Sequence, residues 1–295
     1  MLLFIDWQPS GEIFQLGNFS VRWYSMCWIV GILLANLLMK RLYALEGIDP
    51  APDAKGKLQP TGKFDPLIFY CFIGVVAGAR LGHCIFYEPA RYLTSVNGWI
   101  EMLLPVHIAP DGWHFVGYSG LASHGGTIGL FLAVLLYIRN SGLKAWCVLD
   151  LLGIVAPVAA CFIRLGNLMN SEIIGRATDM PWGFIFHTQD ALVNGQLAPR
   201  HPAQLYEAIA YAVILAVGWW IYTRRYESTA VGTGFHFGFC LAAIFLFRFF
   251  VEFVKEVQGG TDDGTLLLDM GQLLSIPFVI AGIACMLRKR LFAKH

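Results

Sequence analysis

Apolar residues gather in seven long runs, near 20–42, 66–87, 120–139, 145–165, 205–224, 232–254 and 268–288. Each approaches the ~20 residues with which a helix crosses a hydrocarbon layer about 30 Å thick. Gly, His and Arg interrupt the third, fourth and sixth runs. The pattern predicts an all-α, polytopic membrane protein with seven transmembrane helices, folded as a single integral-membrane domain over 1–295. Two connections, 88–119 and 166–204, are long. Loops of that length are usually functional or disordered when they lack structure of their own. These carry Trp99, Trp113, Trp182, Phe184 and Phe186, which predicts small folded segments lying on the membrane surface. The stretch 51–63 is polar, with Pro and Gly, and reads as a flexible linker.

Composition agrees with the pattern. Hydrophobic residues make up 57% of the chain and charged residues 14%, where soluble proteins carry about 25%. A net charge of +1 makes no general case for nucleic acid. The seven cysteines lie mostly in apolar runs, without C-x-x-C pairs or metal-ligand spacing, and read as small core residues. The N-terminal stretch has no basic region or small-residue cleavage site, so it is not expected to be a signal peptide. No internal repeat is evident.

Lysine and arginine predict the orientation. With the N-terminus outside, the inside segments hold thirteen of these residues and the outside segments five; Arg80, Arg164 and Arg248 lie within spans. The positive-inside rule favours N-terminus out and C-terminus cytoplasmic. This arrangement carries the polar residues within the spans towards one leaflet. Tyr24 stands near the outer end of the first span, and Arg80, His83 and Tyr87 in the outer half of the second. Ser119, Ser123 and His124 sit at the mouth of the third. Arg164, Asn167 and Asn170 end the fourth, Gln204, Tyr206 and Glu207 open the fifth, and Arg248 and Glu252 close the sixth. Intramembrane charges are costly and mark functional sites. Arginine stays charged and grips phosphate through paired N–H groups, so three arginines in this layer predict a site for an anionic headgroup. His124, followed by two glycines, is a candidate for proton transfer near neutral pH.

Several ordered motifs resemble the prolipoprotein diacylglyceryl transferase family. They are W-Y at 23–24, GARLGHCIFY at 78–87, S-H-G-G-T-I-G at 123–129, RLGNLMNSEIIGR at 164–176, RHPAQLYE at 200–207, FRFFVEF at 247–253 and D-M-G-Q-L-L-S-I-P at 269–277. The resemblance covers most of the chain. It implies an enzyme of the bacterial inner membrane, with its active site facing the outer leaflet and no metal or organic cofactor. The implied reaction moves diacylglycerol from phosphatidylglycerol to the lipobox cysteine thiol of a prolipoprotein. A thioether forms and glycerol phosphate leaves. The implied partners are phosphatidylglycerol, lipobox-bearing signal peptides and the bilayer.

On this resemblance His124, Arg164 and Arg248 are the catalytic candidates, with His124 as base for the thiol and the arginines stabilising the departing phosphate. Phosphatidylglycerol binding is assigned to Arg164, Arg248, Asn167, Asn170, Tyr24, Gly175, Arg80 and Tyr87. Glu172, Glu207, Glu252, His201 and Tyr206 support them. Arg80 also reads as a helix-locking ion-pair partner, and the glycines as packing contacts. The chain departs from the family pattern at Leu168, Thr127, Ile244 and His83. Two rival functions remain. Gly117-Tyr118-Ser119-Gly120 matches the short motif of intramembrane serine proteases, although such a nucleophile needs a histidine within reach. Buried arginines also suit an anion or lipid transporter, which would place its site at the midplane and often repeat its halves.

Overall fold

The computed structural model describes residues 4–16, 19–49, 63–115, 120–193, 195–256 and 268–292, excluding the side chains of Leu16, Phe19, Asp65, Ser123 and 289–292. Most of the linker 51–63 and most of the Gly-Tyr-Ser-Gly segment therefore lie outside the described residues. The chain divides into two compact units. One comprises 1–42 with 145–295, the other 43–144.

The seven apolar runs are all helical: α1 (Trp23–Leu45) and α2 (Phe64–Phe86), then, beyond two short helices α3 (Pro89–Tyr92) and α4 (Val96–Leu103), α5 (Ser123–Ser141), α6 (Ala145–Met169), α7 (Ala203–Arg224), α8 (Phe235–Val251) and α9 (Met270–Phe292). Six of these seven are long and apolar enough to cross a membrane among the described residues. The exception is α5, which opens with His124-Gly125-Gly126-Thr127 and ends with Arg139-Asn140-Ser141. Those polar ends dilute its apolar centre.

Helix boundaries differ from the apolar runs for local reasons. Residues 19–22 are not helical; they form β3 (Phe19–Arg22), antiparallel to β2 (Glu12–Leu16). Gly232 and Gly234 have φ of +96° and +87°, which delays α8 to Phe235. The 3₁₀ turn Glu252–Val254 ends the sixth run. The fourth run continues through Met169, so Arg164 and Asn167 sit on regular helix.

Within the second unit α2 packs on α5 through facing glycines. A Cβ at Gly78 would meet the Gly125 carbonyl, and a Cβ at Gly125 would meet the Gly78 carbonyl. Small residues at such contacts let two backbones approach closely. The glycine after His124 is thus required by the helix contact itself. In the first unit Gly238 of α8 and Gly282 of α9 meet in the same way.

Asp150 explains the start of α8. It lies inside α6 and is fully buried. Its carboxylate accepts from the amides of Gly232 (2.8 Å), Gly234 (2.9 Å) and Phe237 (3.0 Å). A helix N-terminus has unpaired N–H groups and a positive dipole end, so this buried acid serves as a cap supplied by a neighbouring helix. Sequence reading passes over it.

The connections hold short strands that an all-α reading does not foresee. In the first unit β1 (Ile5–Trp7) pairs in parallel with β6 (Phe184–Phe186), Ile5 opposite Phe184. A small core of Leu168, Ile174, Phe184, Phe186 and Ala191 packs against Trp7 and Leu205, and the Trp7 indole donates to the Leu168 carbonyl (3.0 Å). In the second unit β4 (Val106–Ala109) and β5 (Gly112–Phe115) form a hairpin after α4. The strands β7 (Leu192–Val193) and β8 (Gln196–Leu197) form another in the first unit.

Candidate active site

The first unit gathers most of the sequence-predicted polar residues at the C-terminal ends of α6 and α8 and the N-terminal end of α7. Arg164 and Asn167 are one turn apart on α6 and share a face. Arg164 Nη1 donates to Asn167 Oδ1 (3.2 Å), and Asn167 Nδ2 donates to Glu172 Oε1 (2.7 Å). Gln204, fully buried at the start of α7, donates to the Glu172 carbonyl (2.5 Å). The guanidinium is thus oriented through Asn167 by an acid five residues further on.

The turn that carries Glu172 is strained. Ser171 and Ile173 have φ of +53° and +60°. A β-branched residue in this region is a genuine outlier, and such residues cost about 1–3 kcal/mol each. The turn is pinned on both sides, because Leu168 and Ile174 belong to the apolar cluster beneath β6.

Glu207 is fully buried on α7. Its Oε2 lies 3.2 Å from Arg164 Nε yet accepts no hydrogen bond among the described residues. Its Oε1 accepts from Lys255 Nζ (3.2 Å) and Tyr211 Oη (3.5 Å). Lys255 also lies 3.6 Å from Glu252 Oε2. Gly271 leaves space for Glu252, since a Cβ there would strike its carboxylate, and Gln272 ties α9 to the Phe249 carbonyl (3.3 Å).

Arg248 stands in the last turn of α8, half-buried. Its charge acts on both Tyr211 and Lys255. Among the described residues its guanidinium has neither a carboxylate partner nor a hydrogen bond. A partly buried, unneutralised arginine beside Arg164 is a ready anion site.

Backbone pairing holds this constellation together. Gly175 and Lys255 form an antiparallel bridge, with Arg176 N to Val254 O (2.8 Å) and Glu256 N to Ile174 O (3.2 Å). A side chain at Gly175 would collide with the carbonyls of His201 and Val254. Gly175 therefore acts here through close backbone approach. Arg200 is buried behind it, donating to the Gly175 carbonyl (3.1 Å), the Ala191 carbonyl (3.0 Å) and Glu256 (2.6 Å).

The remaining candidates of this unit take varied positions. Tyr24 packs on Gly166, between Arg164 and Asn167. Asn170 is exposed at the end of α6. His201 and Tyr206 form a separate chain in which the Trp182 indole donates to Tyr206 Oη (2.9 Å), itself 3.1 Å from His201 Nδ1. Burial lowers the His201 imidazole below its ordinary pKa.

In the second unit His124 is the second residue of α5 and is exposed, without a hydrogen bond among the described residues. Tyr87 caps α2, exposed, with its ring stacked on His83. His83 Nε2 lies 3.2 Å from Glu88. Arg80 is only 6% exposed. It donates to the carbonyls of Glu101 (2.7 Å) and Met102 (3.3 Å) and covers the Tyr92 ring at 4.9 Å. Its donors hold α4 against α2.

Sequence reasoning gives no role to Lys255, one of the five Lys and Arg residues of the outside segments. The available signal was its i,i+3 spacing from Glu252 directly after the FRFFVEF motif. Arg200 likewise has no role that sequence reasoning assigns, although it begins a motif.

Comparisons place the chain among known proteins. A family model described as prolipoprotein diacylglyceryl transferase matches residues 12–288. A phosphatidylglycerol–prolipoprotein diacylglyceryl transferase of Bacteroides fragilis is 48% identical over 96% of this chain and 94% of its own length. Proteins of the same name from Tolumonas auensis and Porphyromonas gingivalis are 40% and 38% identical, over 95% and 97% of this chain and 96% and 94% of their own lengths. The chain belongs to the prolipoprotein diacylglyceryl transferase family.

Proposed function

We propose that this multi-pass membrane protein transfers the diacylglyceryl group of phosphatidylglycerol to the lipobox cysteine of prolipoproteins, at the outer leaflet of a bacterial inner membrane. The proposal takes all seven long helices as spans, with the N-terminus outside and the C-terminus cytoplasmic. The observation that carries it is the open pair of arginines on α6 and α8, one held by a single shared carboxylate and the other without a partner among the described residues. Such a site suits a phosphodiester that gains charge as it leaves.

The chemistry follows from these groups. The cysteine thiol loses its proton and its sulfur attacks the diacylglyceryl methylene carbon. A carbon–sulfur bond forms, the carbon–oxygen bond to phosphate breaks, and glycerol phosphate departs with the bonding electrons. Arg164 and Arg248 stabilise the charge that accumulates on the leaving oxygen, and fixed donors in a water-poor site act strongly there. Asn167 and Glu172 keep Arg164 in register. A free thiol of pKa about 8.5 is mostly protonated at neutral pH, and the family motif S-H-G-G assigns His124 as the base that removes its proton. A largely apolar groove lined by Leu34, Leu38, Arg41, Val158, Cys161 and Phe162 suits an acyl chain. Cys161 precedes Arg164 by one turn on α6, so a chain seated there leads to the phosphate position.

The test uses purified protein in lipid–detergent micelles with labelled phosphatidylglycerol and a lipobox peptide, alongside a Cys→Ser peptide. Label on the cysteine peptide alone, with glycerol phosphate released, is the expected result. A folded protein that leaves both peptides unlabelled would overturn the reading.

A further inference from the structure

We infer that Lys255 is a positioning residue that keeps Arg164 available to phosphate by occupying the far oxygen of Glu207. The inference rests on the transferase reading above and adds a residue to it.

Arginine and a buried carboxylate ordinarily form a fork, with two parallel N–H···O contacts. Glu207 and Arg164 do not. Nε faces Oε2 at 3.2 Å in a geometry that gives Oε2 no hydrogen bond. Oε1 is turned instead to Lys255 Nζ (3.2 Å) and Tyr211 Oη (3.5 Å). The carboxylate is divided between two cations, and neither gains its full grip. Arg164 keeps donor capacity for another anion while its position stays fixed through Asn167.

Lys255 reaches this place because its backbone is bound. The bridge to Gly175 and the bond from Arg176 Nε to the Lys255 carbonyl (2.9 Å) set the residue before its side chain turns inward. The side chain is 8% exposed. Removing its charge would leave Oε1 buried beside a neutral side chain. The nearest remedy for Glu207 is rotation into a fork with Arg164, which closes the guanidinium to the substrate.

The route through Glu207 can be isolated with a double-mutant cycle, which reports whether two residues act independently. The variants are Lys255→Arg, Lys255→Met, Glu207→Gln and the Lys255→Met/Glu207→Gln pair. The measured quantities are KM for phosphatidylglycerol and kcat for transfer to the lipobox peptide. Lys255→Met should raise KM about tenfold with kcat changed less than threefold, and Lys255→Arg should stay within about twofold of the parent. In the Glu207→Gln background the lysine has no carboxylate to restrain. Adding Lys255→Met should then shift KM less than twofold. That comparison stands even if Lys255→Met alone fails to fold. A tenfold KM rise in both backgrounds would mean that Lys255 meets the lipid directly, and an unchanged KM in Lys255→Met would mean it does nothing for Arg164. Either result overturns the inference. Absence of transfer by the parent protein would instead count against the transferase reading.

Discussion

Arg80 and Arg248 are both arginines in apolar helices, and the protein treats them in opposite ways. Arg80, in the second unit, donates to two main-chain carbonyls and lies over Tyr92. Arg248, in the first, has no partner among the described residues. Burial and charge are thus poor guides to function on their own. Donor capacity left open distinguishes a site from a brace. An arginine whose N–H groups already meet carbonyls gains little from a phosphate, because it would exchange good hydrogen bonds for others. One left open in a partly buried place keeps an electrostatic demand that an anionic ligand can meet.

The largest effects should fall on the open side of that contrast. Arg248→Ala and Arg164→Ala should each lower transfer by about 10²–10³-fold, the loss typical of a removed charge-stabilising donor. Their thermal unfolding should stay within a few degrees of the parent. Retained turnover in either variant, measured with labelled lipid, would remove that arginine from the reaction. His124→Gln should follow, slowing transfer about 10²-fold at neutral pH, within the range for a lost general base. An unchanged rate and pH profile would take the base role away from His124.

Much of this was legible in the sequence, for specific reasons. All seven apolar runs are helical, and six are long and apolar enough to cross a membrane, where length and hydropathy leave the backbone few alternatives. The R-x-G-N-x-x-N-x-E segment places Arg164 and Asn167 one turn apart, which periodicity alone predicts. The link from Asn167 to Glu172 is another matter. It depends on positive φ at Ser171 and Ile173, and neither residue type announces that conformation. Lys255 was hidden because its partner Glu207 is 48 residues away on another helix. Arg80 reads from sequence as lipid ligand and helix lock alike, because the carbonyls it meets are acceptors that every residue carries. Asp150 is not legible as a cap because the amides it holds lie more than 80 residues later. Side-chain identity reveals charges, but only the fold reveals which of them are already answered.

The closed side predicts stability losses in place of catalytic ones. Arg80→Ala should strip donors from the Glu101 and Met102 carbonyls, each buried loss costing about 1–3 kcal/mol. Thermal unfolding should fall accordingly, while the folded fraction keeps KM for phosphatidylglycerol within about threefold. A tenfold KM rise would return Arg80 to the lipid-binding role that its motif suggests.

The Glu101 side chain gives this region a pH signature. Burial pushes its carboxyl up, but the Ile108 amide, Arg91 and His107 together outweigh that and hold it below the usual carboxylate range. A depressed acid stabilises the fold above its unfolded pKa, about 4.3, and loses that contribution as pH falls through the folded value. Hydrogen exchange in 96–109 should therefore rise on acidification below about pH 4.3, and Glu101→Gln should flatten the response. Equal acid sensitivity in that variant would assign the transition to another group.

The smallest effect tests the strained turn beside the open site. Ser171 has φ of +53°, which glycine adopts without a Cβ penalty. Ser171→Gly should stabilise the protein by up to about 1 kcal/mol, since relief of strain is partly offset by the freer unfolded chain. The informative quantity is what accompanies that gain. Leu168 and Ile174 anchor the turn in the apolar cluster on either side, so the path from Asn167 to Glu172 should persist and transfer should stay within about twofold. If stability rose while transfer fell about tenfold, rigidity of the turn itself would be what aims Glu172 at Asn167. The open arginine would then depend on backbone strain as well as on its partners, a dependence that Arg80, held by carbonyls of α4, does not share.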